Sequence, residues 1–176
     1  WPGNLNGTGT LVEFSIDKIL LSTLTEGIPA ANVNTSYTRI IEYFIEEVAF
    51  TYSNILADNR VNINVKLIEN EILIKDENIT ALKPDWKELQ SSGIEDCDLG
   101  KGYVKIEYQF GSINAGNNIR YYRRNMSSSG VEIRINGRAL AYGLLSEIWP
   151  IAKHPSHNHF LGIVNVVTSY KPVSTF

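Results

Sequence analysis

Residues 130–176 read GVEIRINGRALAYGLLSEIWPIAKHPSHNHFLGIVNVVTSYKPVSTF, and the patterning of this stretch decides the fold. Val131, Ile133 and Ile135 alternate with Glu132 and Arg134. That period of two predicts a strand with its apolar residues inward and its charges outward. Asn136-Gly137 follows at once. This pair tolerates the positive φ of a two-residue turn and is the strongest short-range signal for a hairpin. A His/Pro/Asn-rich connection leads to a second apolar run over 160–167, after which the chain reaches Lys171 beside Pro172. The expectation is a sheet that carries an isolated lysine at its end.

Upstream segments supply material to pack on or extend that sheet. Residues 103–110 alternate, with Val104, Ile106, Tyr108 and Phe110 on one face and Tyr103 and Lys105 on the other. Residues 60–75 read as a hairpin: Val61, Ile63, Val65 and Leu67 alternate, Glu69-Asn70 turns the chain, and Ile72 and Ile74 return. Residues 34–58 read as a helix that Asn34 or Thr35 can cap and Asp58-Asn59 ends. Its apolar face holds Tyr37, Ile40, Ile41, Phe44, Ile45, Val48 and Ala49, which leaves Glu42, Glu46 and Glu47 on a solvated side. Residues 82–101 read as a long polar connection around Trp86, and residues 111–129 as a polar loop. Residues 10–16 alternate and read as a strand after the Gly/Asn/Thr run of 3–9. A helix followed by hairpins points to an α+β domain with the helix on one sheet face.

Composition bounds the function. The 176 residues are 43% hydrophobic and 20% charged, ordinary for a globular chain with a sizeable core. A net charge of −3 argues against a general binder of phosphate backbones while leaving room for a local basic patch. A single cysteine, Cys97, rules out an internal disulfide framework and fits a reducing, cytoplasmic compartment. No run approaches the roughly 18 apolar residues of a membrane span. The chain starts Trp-Pro-Gly-Asn without an initiator Met, which reads as an excised piece of a longer protein. Four Asn-x-Ser/Thr sequons, at Asn6, Asn34, Asn78 and Asn125, are what an Asn-rich chain carries by chance.

Several residue groups carry chemistry of more than one kind. Thr8, Gly9 and Thr10 would let backbone approach a nucleotide edge, or would form a plain loop-to-strand junction. Arg120-Tyr121-Tyr122-Arg123-Arg124 interleaves charge with rings, which suits single-stranded nucleic acid or a loop whose tyrosines cover the sheet. His154, His157 and His159 have the spacing of zinc ligands, but neither cysteine nor carboxylate completes the set. Glu95, Asp96 and Asp98 lack the ligand spacing and glycine of a calcium loop. No metal is therefore expected. Cys97 has no nucleophile context, and no Walker-type phosphate loop occurs.

Five stretches together resemble a known superfamily. Gly9-Thr10-Leu11-Val12-Glu13-Phe14 resembles the strand that closes the nucleotide-binding domain of GHKL ATPases, the group of gyrase B, heat-shock chaperone ATPases, histidine kinases, MutL and MORC proteins. The helix, the hairpin of 62–75, Gly130-x-x-Ile133-x-x-Asn136-Gly137-Arg138 and Lys153-His154-Pro155-Ser156-x-Asn158-x-Phe160 are similar to the second, transducer domain of chaperone-like and MORC-like members. The resemblance implies an α+β fold like ribosomal protein S five domain 2: a mixed, mostly antiparallel sheet with a helix layer on one face. It implies that residues 1–33 are the closing strand and linker of a preceding nucleotide-binding domain and that residues 34–176 form the transducer. It implies ATP and Mg in the full-length protein, with none expected on this chain alone, and it makes Lys171 the residue that contacts the γ-phosphate. Thr10, with Thr8 and Gly9, resembles the nucleotide-proximal threonine region. Dimer closure, and DNA in restriction or defence systems through Arg120, Arg123 and Arg124, are the partners it implies. The catalytic Glu/Asn helix, the Asp-x-Gly and the Gly-rich lid are absent from the sequence, so their roles would fall to residues before Trp1. Pro-Val-Ser after Lys171 also departs from the family's polar run. The other function class open to the sequence is a non-catalytic module that binds nucleic acid or protein.

Overall fold

The structure, a computed structural model, describes residues 9–13, 15–17, 19, 23, 37–98, 103–116 and 120–169. Compactness divides the chain into Trp1–Ile41 and Glu42–Phe176. In the first unit, residues 9–13 and 15–17 are exposed and irregular rather than the expected strand. Alternation alone does not make a strand: the backbone needs a paired neighbouring strand, and these residues belong to neither sheet. Ile19 and Thr23 are helical, with Thr23 Oγ1 donating to the Ile19 carbonyl at 3.1 Å.

The second unit is α+β. Helix α1 spans Tyr37–Thr51 and a short helix α2 spans Ser53–Ala57. Asn59, at φ 54°, stops α2. The Asn59 amide donates to the Leu56 carbonyl at 3.1 Å and the Arg60 amide to Ile55 at 3.2 Å. That pair of bonds is a Schellman closure, and asparagine reaches the left-handed conformation more easily than other side-chain-bearing residues. Strands β1 (Asn64–Glu69) and β2 (Ile72–Asn78) form the expected hairpin. Its turn lies at Asn70-Glu71, one residue later than expected, with φ values of 49° and 68°.

The main sheet contains β3 (Trp86–Asp98), β4 (Tyr103–Ile113), β5 (Gly130–Ile135), β6 (Arg138–Leu144) and β7 (Phe160–Thr168), in the order β3-β4-β7-β5-β6. All its pairings are antiparallel except β5 with β7. Strand β3 corrects the expected polar connection over 82–101. It is an edge strand, so one backbone edge and much of both faces stay wet, and Glu88, Glu95 and Asp96 suit it. Charged residues on an edge also discourage pairing with other chains. A bulge between Leu89 and Ser91 breaks its alternation further. There Gly111 of β4 lies so close that an added Cβ would stand 2.1 Å from the Glu88 carbonyl oxygen, a space only glycine leaves open.

Helix α1 is buried on two sides. Ile45, Val48, Ala49 and Tyr52 meet Ile63, Val65 and Ile79 of the hairpin, while Phe50 meets Ile113, Tyr121, Tyr122 and Leu161 over the main sheet. Phe44, expected in the apolar face, is 48% exposed. Tyr121 and Tyr122, from the stretch expected as a polar loop, are core residues at 2% and 6% exposure. Phe50 stacks on Tyr121 with ring centroids 3.8 Å apart. By register, Ile106, Tyr108, Ile133, Val164 and Val166 share the sheet face opposite Phe50.

Candidate functional site

The most unusual chemistry lies under the β5–β6 hairpin, where Glu132 and Arg134 are each 1% exposed. Their expected outward placement is overturned. Strand β5 is an inner strand flanked by β7 and β6, and its even-numbered residues face the end of α1. A charge can occupy such a place only when its hydrogen bonds are complete. Arg134 meets that condition. Its Nε donates to Glu132. Its Nη1 donates to Ser53 Oγ at 2.6 Å and to the Gly137 carbonyl at 3.2 Å. Its Nη2 donates to the Phe50 carbonyl at 3.2 Å and to the Tyr122 hydroxyl at 3.5 Å. A guanidinium has five N–H donors, and each has a partner here. The Tyr122 hydroxyl in turn donates to the second Glu132 oxygen at 3.2 Å. Burial pushes the Glu132 carboxyl above its usual range, against the pull of Arg134, and burial likewise pushes Tyr122 up.

The hairpin turn joins this node to β7. Asn136 and Gly137 have φ values of 50° and 84°, the type I′ geometry that the dipeptide predicts. The Gly137 amide donates to Asn165 Oδ1 at 2.9 Å, and Asn165 Nδ2 donates to Glu107 Oε2 at 2.9 Å. The Asn136 amide donates to the Val166 carbonyl, and the Thr168 amide donates to Asn136 Oδ1, each at 2.9 Å. Lys105, 2.9 Å from Glu107, and then Asn165 hold the Glu107 carboxyl below its usual range.

A second cluster sits on α1. Glu47 accepts from Arg120 and from the Tyr121 hydroxyl, and Glu46 accepts from the Arg120 amide. The Arg120 guanidinium lies 3.6 Å from the Tyr43 ring centroid and 4.3 Å from that of Tyr121. Glu46 and Glu47 are thus engaged while still partly exposed, as the solvated side of the helix was expected to be. The charge and the stacking capacity of Arg120, expected to face nucleic acid, are spent inside the molecule. Arg123 and Arg124 are exposed.

The other expected site residues fall apart spatially or outside view. Lys171 and Thr8 lie outside the described residues. Gly9 and Thr10 are exposed, and an added Cβ at Gly9 would meet nothing within 4 Å. The His154 ring caps the 3₁₀ turn Pro155–His157, with its Nδ1 accepting from the Ser156 amide at 3.2 Å. Consecutive Glu95 and Asp96 point to opposite faces of β3. Among the described residues no three His, Cys, Asp or Glu side chains converge as metal ligands would. A cleft of about 550 Å³ lies at the hairpin base, with Leu56, Ile63 and Ile79 in its wall and Asn62, Asn78 and Lys83 around it. One lysine does not make a triphosphate cradle, so this cleft does not fit ATP and Mg.

Sequence reasoning missed the Glu132–Arg134–Tyr122–Ser53 node and Asn165. Both left signals. Glu132 and Arg134 are two apart and share a strand face, and Asn165 is a lone amide within an apolar strand. No family model, curated protein or solved structure matches the chain.

Proposed function

We propose that the chain is the coupling domain of a GHKL-type ATPase, with a fold like ribosomal protein S five domain 2. In this role it links ATP hydrolysis in a preceding domain to a change in domain packing. The observation that carries the reading is the setting of the Asn136-Gly137-Arg138 motif. In the resemblance this motif is a strand-turn of the transducer. Here it is a type I′ hairpin bonded to Val166 and Thr168 at the end of β7, and Thr168 stands three residues before Lys171 in the sequence. The α+β sheet with its helix is the layer arrangement that the resemblance implies.

Lysine suits the assigned task because a compact charge on a flexible stem can stabilise charge developing on a phosphate. Bound ATP would supply that γ-phosphate. This chain's part is to anchor the end of β7, after which the sequence runs on to Lys171, on β4 and the hairpin. In the full natural protein, Lys171→Ala is expected to lower kcat for ATP at least tenfold with a modest change in KM, measured by steady-state phosphate release. Unchanged turnover removes Lys171 from the mechanism.

The exposed Arg123 and Arg124 favour a second reading, a nucleic-acid-binding module. Titration with a fluorescent single-stranded oligonucleotide at two salt concentrations separates the two: salt-sensitive binding by this chain favours the module.

A further inference from the structure

We propose that Arg134 is a positioning residue that ties the exit of β7 to the α1–α2 junction, so that displacement of the helices reaches the segment leading to Lys171. The functional end of this inference rests on the coupling role above; the mechanical link does not.

The link is a continuous series of hydrogen bonds. At one end Arg134 holds two groups of the helical layer, the Phe50 carbonyl at the end of α1 and Ser53 Oγ at the start of α2. The same guanidinium holds the Gly137 carbonyl. Gly137 is gripped from both sides, since its amide donates to Asn165 of β7. Its neighbour Asn136 is also gripped twice, by Val166 through its amide and by the Thr168 amide through its side chain. Thr168 Oγ1 then donates to the Tyr103 carbonyl at 3.2 Å, which closes the series onto β4.

Three features make this a linkage rather than a collection of contacts. Arg134 and Asn165 are 1% and 6% exposed, so water does not readily replace a lost partner. The guanidinium is planar and its donors are all engaged, so it cannot follow the helices without releasing the turn. Gly137 has little room to yield: an added Cβ there would lie 2.9 Å from Asn54 Cβ of α2. The charges near the node are Glu132 beside Arg134, Arg60 beside Gly137, and Glu107 with its partner Lys105 beyond Asn165. Nothing in the series depends on a bound nucleotide.

The test is site-resolved amide hydrogen exchange on the full natural protein without nucleotide, comparing wild type, Ser53→Ala and Arg134→Lys. Ser53→Ala removes one acceptor at the helical end. Arg134→Lys keeps the charge but has only three donors. The linkage is expected to speed exchange at the Thr168 and Gly137 amides about tenfold in either variant, the scale of one lost charged hydrogen bond, with central β4 amides such as Tyr108 unchanged. Thr168 and Gly137 rates within twofold of wild type in either folded variant would overturn the inference. Failure of the coupling role appears separately, as a wild-type protein that does not turn over ATP while the exchange effect persists.

Discussion

Arg134 and Glu132 sit where strand periodicity places solvated charge, yet both are enclosed. Removing either member of such a pair leaves the other buried charge without a partner, a loss of about 3–5 kcal/mol. The surrounding carboxyls respond to pH in opposite senses. Burial raises Glu132, so its folded pKa exceeds its unfolded value. The stability it contributes is full below the unfolded glutamate pKa of about 4.3 and is lost as pH rises through the folded value. Lys105 and Asn165 lower Glu107, so its contribution is present above about 4.3 and lost as pH falls through the folded value. Urea midpoints between about pH 3 and pH 8 are expected to show Glu107→Gln flattening the acid limb. Glu132→Gln is expected to remove the decline on the other side. Identical pH profiles in wild type and variants would contradict both assignments.

At the scale of elements, the β5–β6 hairpin depends on its turn. Gly137 has φ 84°, which costs an L residue about 1–2 kcal/mol, and a Cβ there would crowd Asn54. Gly137→Ala is therefore expected to destabilise the protein by about 1–3 kcal/mol in chemical denaturation, with the loss carried by the hairpin. A neutral result would mean that the turn is not under the constraint described.

This hairpin was legible in the sequence because an alternating run met a dipeptide with one preferred turn. Helix α1, strand β4 and the β1–β2 hairpin were legible from their periods, and β7 from its continuous apolar run, as suits an inner strand covered on both faces. Strand β3 was not, because an edge strand with a bulge carries no single buried face. Nor was the node. Whether a Glu-x-Arg pair points out or in depends on what covers the strand, and that cover comes from α1, some 80 residues earlier. Tyr121 and Tyr122 were legible in part: the reading of a loop whose tyrosines cover the sheet is borne out, while their stacking partner Phe50, some 70 residues earlier, was not readable. Of the expected site residues, Arg120 could be read as basic and aromatic-flanked but not as already paired, because its partner Glu47 lies on another element.

At the scale of the molecule, the unit from Glu42 to Phe176 sets most of α1 between a hairpin and a five-stranded sheet and joins α1 and α2 to the sheet's hairpin through the buried Arg134. The coupling role proposed above requires a displacement to pass from one surface to another without unfolding, and the Arg134 bonds are the path proposed for it. The most direct measurement is hydrogen–deuterium exchange of the full natural protein with and without a saturating, non-hydrolysable ATP analogue. The coupling role predicts slower exchange on nucleotide binding at the α1–α2 junction, the Asn136-Gly137 turn and the Val166–Thr168 amides together. Nucleotide bound at saturation with exchange at all three unchanged would contradict it.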